Sequence, residues 1–192
     1  MSIIDEKKAL RERLEKVRND ASATTPHAAE DLARAYAVST IPSVVAGTFP
    51  MRSELDPRPL MRRLEALGAS LALPRTPRRG QPLTFHRWDA STQLVTSRFG
   101  VTEPTKETPV VTPDLVLVPL LAFDRTGARL GYGGGFYDVT LAALRAAGPV
   151  FALGLAYAAQ ELDRVPTEPH DVRLDAVLTE AGVGGLDGML ID

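Results

Sequence analysis

The sequence predicts an α/β layered domain, and three observations carry that expectation. An unbroken apolar run, Leu115 to Leu121, sits between Pro113 and Asp124 and is too short to span a membrane. Such a run suits a strand buried on both faces, in the middle of a parallel sheet with helices on either side. A second run of the same kind spans Val150 to Ala156. Segments with helical spacing alternate with these strands along the chain, the pattern of a layered α/β fold.

In chain order, residues from about Ile4 to Asn19 read as a helix with Leu10, Leu14 and Val17 on one stripe. Lys8–Glu12 and Arg11–Glu15 are i,i+4 pairs, which suits a solvated face. Lys7 and Arg11 are also one turn apart, and cations so placed can clamp an oligophosphate. Thr25 as cap and Pro26 in the first turn open a second helix to about Val38. Ser43 to Phe49 reads as a strand. Asp56 and Pro57 start a helix carrying Leu60, Leu64 and Leu67 and ending at Gly68. Short strands follow at Leu71 to Leu73 and Leu83 to Trp88, separated by a basic turn with Arg75, Arg78 and Arg79. Gln93 to Gly100 is ambiguous, and Glu103 to Pro113 reads as a proline-rich connection. Past the second apolar run, Pro166 and Pro169 keep Gln160 to His170 irregular. Asp175 to Leu178 reads as a last strand, and the tail from Gly182 as loosely held.

After the central strand comes the densest cluster of unusual residues. Gly131, Gly133, Gly134 and Gly135 occupy four of five positions, flanked by Arg129 and Asp138, and lead into a helix from Tyr137 to about Ala147 that Gly148 stops. A glycine turn opening a helix leaves N–H groups uncovered and can wrap a phosphate. It is not a P-loop, because Phe136-Tyr137 follows Gly135 where Lys-Ser/Thr would be needed. Nor is it the dinucleotide fingerprint, because Phe123 to Leu130 intervene after the strand and Phe136 fills the third small position. The plain alternative is a surface turn made pliable by glycine. Tyr132, Tyr137 and the flanking charges weigh against it.

Composition narrows the classes further. A length of 192 residues suits one domain, residues 1–192. A net charge of −2 gives no reason to expect nucleic acid binding, which would call for a basic face, and no run is long enough for a membrane helix. Cysteine is absent, which excludes disulfides, thiolate metal sites and a cysteine nucleophile. The charged N-terminus is unlike a signal peptide, so the cytoplasm is the expected location.

The stretch PDLVLVPLLAFDRTGARLGYGGGFYD, Pro113 to Asp138, resembles the central signature of the 5-formyltetrahydrofolate cyclo-ligase family, also called methenyltetrahydrofolate synthetases. The resemblance extends to K-x-x-L-R (Lys7 to Arg11), RSELDPRPL (Arg52 to Leu60), Glu103-Pro104, Gln160 and PTEPHDVRLDAVLTE (Pro166 to Glu180). It implies a three-layer α/β/α sandwich with a mostly parallel sheet, of the sugar-phosphate isomerase and CoA-transferase type. It also implies ATP- and Mg²⁺-dependent cyclisation of a reduced formyl-folate, with or without a polyglutamate tail, through a phosphorylated formyl group. The expected state is a monomer, with no nucleic acid or membrane partner.

By position, the resemblance implies that Lys7 and Arg11 reach the ATP phosphates and that Gly131, Tyr132, Gly133, Gly134 and Gly135 hold them, with Arg129 nearby. Lys7, Arg129 and Asp138 form the implied catalytic set. Asp138 and Asp175 are the implied magnesium carboxylates. Glu54 would meet the folate ring, with Phe99, Phe136 and Tyr137 as aromatic walls. Without the resemblance, Asp138 reads as a helix cap, Asp175 as a strand-end turn residue and Glu54 as a solvated loop charge. His170, in the Pro-His-Asp run, reads as a loop-orienting residue rather than a catalytic one. Val139 and Phe136 depart from the family's usual arginine and tyrosine, and Thr48 stands where an aromatic residue is expected. Two other readings of the chain are a non-catalytic folate- or nucleotide-binding regulator and a sugar-phosphate isomerase on the same sheet.

Overall fold

The computed structural model describes residues 2–37 and 39–184. Helix α1 (Ile3–Thr24) begins at Ser2, whose hydroxyl accepts the Asp5 N–H while the Asp5 carboxylate accepts the Ser2 N–H. This reciprocal cap satisfies two donors that a helix start leaves open. The helix runs on to Thr24 instead of stopping near Asn19. Thr25, expected to open the next helix, closes this one instead: its hydroxyl donates to Ala21 O at 2.6 Å. Helix α2 (Ala28–Ala35) therefore starts later, and its expected end at Val38 lies outside the described residues. Helices α3 (Arg58–Ala66) and α4 (Phe136–Ala147) fall where the cap signals place them, with the Asp56 carboxylate accepting the Arg58 N–H.

Eight strands form the main sheet. They are β1 (Val44–Ala46), β2 (Ser70–Arg75), β3 (Thr84–Trp88), β6 (Val110–Val111), β7 (Leu115–Pro119), β10 (Phe151–Leu155), β11 (Ala176–Thr179) and β12 (Gly182–Gly184). Small hairpins β4 (Leu94–Thr96) with β5 (Thr102–Pro104), and β8 (Ala122–Phe123) with β9 (Arg129–Leu130), lie outside it. The spatial order is β12-β11-β10-β7-β1-β2-β3-β6. The inner strands β11 through β2 pair in parallel, and β12, β3 and β6 add antiparallel edges. The sheet is thus mostly parallel, as expected. Two details differ. Gly182–Gly184 pairs with β11 rather than hanging loose, and the proline-rich connection supplies two short strands.

Alternation along the strands builds the layers. Val45, Leu71, Leu73, Leu115, Leu117 and Leu153 face α2 and α3, meeting Leu32, Leu60 and Leu64. Ala46, Ala72, Val116, Val118, Ala152 and Val177 face the opposite side and meet Leu141 of α4. This is a three-layer α/β/α sandwich. A third, smaller core places α1: Leu14 packs on Leu121, Ala122, Ala128, Leu130 and Val165, across the β8–β9 hairpin. That hairpin follows the carboxyl end of β7, so α1 lies at the sheet edge where open α/β folds bind ligands.

The amino edge is closed by aspartates. Asp114 accepts the N–H groups of Ser43 and Val44, each at 2.8 Å, and Asp175 accepts that of Ala152 at 2.7 Å. These bonds tie neighbouring parallel strands together at their starts.

Packing beneath β10 is tight around Gly154. A methyl group there would fall 2.6 Å from Leu174 Cδ1 and 2.9 Å from Leu120 Cδ2. Gly154→Ala should therefore destabilise the protein by about 1–3 kcal/mol, as overpacked cores do. Denaturant unfolding checks this; an unchanged midpoint would show that Leu174 and Leu120 pack less closely on β10 than these distances give.

Candidate active site

A cleft of about 490 Å³ opens at the carboxyl edge of the parallel strands. Lys7 and Arg11 of α1 line one wall of it. Lys7, Arg11, Leu14 and Arg18 are each one helical turn apart, so all four point the same way. The most buried face therefore carries Lys7, Leu14, Arg18 and Ala21, while Leu10 and Val17 are only half-buried beside it. A cation drawn out of water needs an anionic or polar partner, and buried Lys7 and Arg18 and half-buried Arg11 each find one in a different segment.

Lys7 Nζ donates to Glu168 at 2.8 Å and to Asp171 at 2.6 Å. Burial works to lower its pKa, but the hydrogen bonds to Asp171 and Glu168 outweigh that and raise it above the usual lysine value. Burial would likewise raise Asp171, yet the bonds from Lys7 and the Glu168 N–H hold it below the usual carboxylate range. Lys7 and Asp171 therefore stay charged together at neutral pH.

Arg11 Nε donates to Gly131 O at 2.8 Å. Its guanidinium lies over Gly133, whose added Cβ would come within 3.3 Å of Arg11 Cζ. Gly133 also has φ +86°, so both space and backbone geometry call for glycine there. Gly135, at φ +69°, turns the chain into α4. No side chain caps the helix, and its first turn lines the cleft, the arrangement an anion site uses.

Asp138 sits in that first turn. Its Oδ1 accepts Arg129 Nη2 at 2.6 Å and the Val172 N–H at 3.0 Å. Arg129 also donates through Nη1 to Val172 O. Burial draws its guanidinium pKa down while Asp138 pulls it back; an arginine remains charged regardless. The fork of Arg129 is thus directed at Asp138 and the 171–173 segment, and it fixes the carboxylate in place.

The opposite wall is the loop after β1. Glu54 Oε2 accepts the Met51 N–H at 2.9 Å. Burial pushes the Glu54 carboxyl up, and the Met51 bond and the Arg18 charge oppose the rise. Phe99 and Phe136 meet edge to face with centroids 5.8 Å apart, and both line the cleft. Burial, with the Glu54 charge adding to it, keeps the Tyr137 phenol neutral by raising its pKa well above the usual value.

Most of the residues expected from sequence thus converge on one cleft: Lys7, Arg11, Glu54, Phe99, Arg129, residues 131–138 and Thr48 all line it. Asp175 does not. It stands at the amino edge of the sheet, where its Oδ2 accepts Ala152 N and Arg145 Nη2, each at 2.7 Å. The expected pairing of Asp138 with Asp175 at a metal is therefore corrected, because they serve opposite ends of the layer formed by α4. Glu168 and Asp171 face the cleft with Asp138 instead, Asp171 standing in the Pro-His-Asp run four residues before Asp175. Among the described residues, Glu168, His170 and Asp171 hold ligand atoms within 4.8 Å of one another. His170 is exposed and offers a loop contact, at 3.8 Å from Asp171. Sequence reading also passed over Arg18; its spacing from Lys7, Arg11 and Leu14 was the available signal.

The fold and the cleft define an α/β enzyme in which a phosphate-type glycine turn faces an aromatic, carboxylate-bearing wall. The model of the 5-formyltetrahydrofolate cyclo-ligase family matches residues 3–180. A 5-formyltetrahydrofolate cyclo-ligase of Haemophilus influenzae is 32% identical over 178 residues, 88% of this chain and 95% of that protein. One from Mycolicibacterium smegmatis is 41% identical over 143 residues, 70% of this chain and 72% of the relative. The solved 5,10-methenyltetrahydrofolate synthetase of Aquifex aeolicus superposes with TM-score 0.71 at 27% identity, covering 100% of this chain and 97% of that one. The chain belongs to the 5-formyltetrahydrofolate cyclo-ligase family, and it is an enzyme of the cyclo-ligase class.

The two aspartates should separate cleanly on mutation. Asp175→Asn should cost about 0.2–1 kcal/mol of stability, since its pair with Arg145 is partly exposed, and leave cyclo-ligase turnover unchanged. Asp138→Asn should lower turnover by about 10–100-fold. Steady-state rates of the two variants read both; an equal loss of activity at Asp175 would return it to the site.

Proposed function

We propose that the cleft carries out the ATP- and magnesium-dependent cyclisation of 5-formyltetrahydrofolate to 5,10-methenyltetrahydrofolate, with release of ADP and phosphate. The observation that carries this reading is the meeting of two unlike walls in one cleft. The open amides of residues 131–135 suit phosphate oxygens, and Glu54 with Phe99 and Phe136 suits a flat ring with N–H donors.

A formyl amide oxygen is a poor leaving group, and ATP supplies the chemistry that makes it a good one. The formyl oxygen bonds to the γ-phosphorus as the bond to the β-phosphate bridge breaks, giving an iminophosphate. The second folate nitrogen then bonds to the formyl carbon, loses its proton to solvent, and the carbon–oxygen bond breaks to free phosphate. No enzyme nucleophile is needed, in keeping with a chain without cysteine. The protein's work is alignment and charge neutralisation.

Each part of the cleft takes one share of that work. The turn at 131–135 and Arg11 hold the phosphate chain, and Lys7 balances the charge beside it. Asp138 and Asp171, with Glu168 at hand, are hard oxygen donors of the kind Mg²⁺ takes while keeping several waters. Arg129 orients Asp138 for that task. Glu54 accepts from the ring, and Phe99 and Phe136 flank it, with Tyr137 as a neutral hydroxyl beside Glu54.

Methenyl-folate absorbance, followed with and without ATP, tests the reading. Signal growth that needs ATP, with one ADP per methenyl group, is expected; growth without ATP, or none with it, would refute it. Glu54→Ala should raise the KM for formyl-folate while leaving that for ATP in place.

A further inference from the structure

Arg18 has the greatest buried volume of charge on α1, yet no step described above uses it. It is 1% exposed. Its Nε donates to Ser53 Oγ at 3.0 Å, and its Nη1 donates to the hydroxyl of Tyr132, in the glycine turn. The guanidinium carbon also lies 5.4 Å from the Tyr132 ring centroid. The same Nη1 stands 3.8 Å from Glu54 Oε1. That separation is close enough for charge balance and too long for a hydrogen bond. Since Glu54 Oε2 is taken by Met51, Oε1 is the acceptor left for a ligand. Arg18 Nη2 is buried and has no hydrogen-bond partner among the described residues. A void of about 10 Å³ lies against Arg18, Glu54, Thr48 and Gln160.

We propose that Arg18 is a positioning residue for formyl-folate: it balances the buried Glu54 without occupying Oε1, and it ties that carboxylate to the glycine turn through Tyr132. The inference rests on the reading of Glu54 as the ring acceptor. An arginine that formed a bidentate pair with Glu54 would use up the acceptor. An apolar residue in its place would leave the carboxylate buried without a counter-charge, and such a group takes up a proton instead. A lysine could supply the charge but not the fork that reaches Ser53 and Tyr132 together.

The charged and titratable groups around Glu54 are few. Arg18 faces it from α1 and Tyr137 from α4; on its own loop, Arg52 turns away to pair with Glu15. Burial already holds the Glu54 carboxyl high, and Arg18 opposes that rise. Removing Arg18 must therefore move ionisation of Glu54 to higher pH.

The test compares KM for formyl-folate, KM for ATP and the pH profile of kcat/KM in the full-length enzyme. Arg18→Met should raise the formyl-folate KM about tenfold and shift the acid limb of the folate profile to higher pH. Arg18→Lys should keep the acid limb in place and still raise both KM values. Tyr132→Phe should raise the KM for ATP and leave the acid limb unmoved. Glu54→Gln should raise the folate KM and abolish the limb. Should Arg18→Met not fold, Arg18→Lys and Tyr132→Phe decide, and unchanged KM values in both overturn the proposal. An Arg18→Met enzyme with the parent's folate KM and acid limb overturns it as well, provided Glu54→Gln still weakens folate. If Glu54→Gln also leaves folate binding intact, the ring-wall reading falls first.

Discussion

The architecture of the cleft depends on one helix face being cationic and buried at once. Leu14 anchors α1 on the β8–β9 hairpin, and of the cations on either side of it Lys7 and Arg18 are buried and Arg11 is half-buried. Each must be neutralised or hydrogen-bonded where it lands. Lys7 gathers Glu168 and Asp171, Arg11 takes the Gly131 carbonyl, and Arg18 reaches Ser53, Tyr132 and Glu54. Segments distant in sequence are thus fixed relative to one another by three side chains of a single element.

The sheet supplies the complementary constraint, because parallel strands give it two chemically different edges. At the amino edge, Asp114 and Asp175 accept strand-start N–H groups and act as structural staples. At the carboxyl edge, Asp138 and Asp171 are held by Arg129 and Lys7 and remain turned to the cleft. The same residue type thus holds strand-start amides at one edge of the sheet and faces the cleft at the other.

Much of this was legible in the sequence. The central strand, α4 and the glycine turn were readable because composition alone constrains them: few structures accept LVLVP or four glycines beside charged residues. What escaped was decided by tertiary contact. The apolar spacing of Leu10, Leu14 and Val17 marked α1 as amphipathic, but its deepest face centres on Leu14 with Lys7 and Arg18. A charged residue looks exposed until its partners are known, and those partners are more than a hundred residues away for Lys7. Asp175 and Asp171 lie four positions apart in one run, and only the strand boundary at Ala176 tells which end of the sheet each serves. Thr25 carried a capping signal that fits either side of a helix break; the chain used it for the end of α1.

The most direct measurement is a crystal structure of the protein with a non-hydrolysable Mg²⁺–ATP analogue and formyl-folate bound together. The expected result is the triphosphate along residues 131–135 within reach of Lys7 and Arg11, the ion on Asp138 and Asp171, and the ring on Glu54. A triphosphate outside the glycine turn, or an α1 that contacts neither ligand, would contradict it.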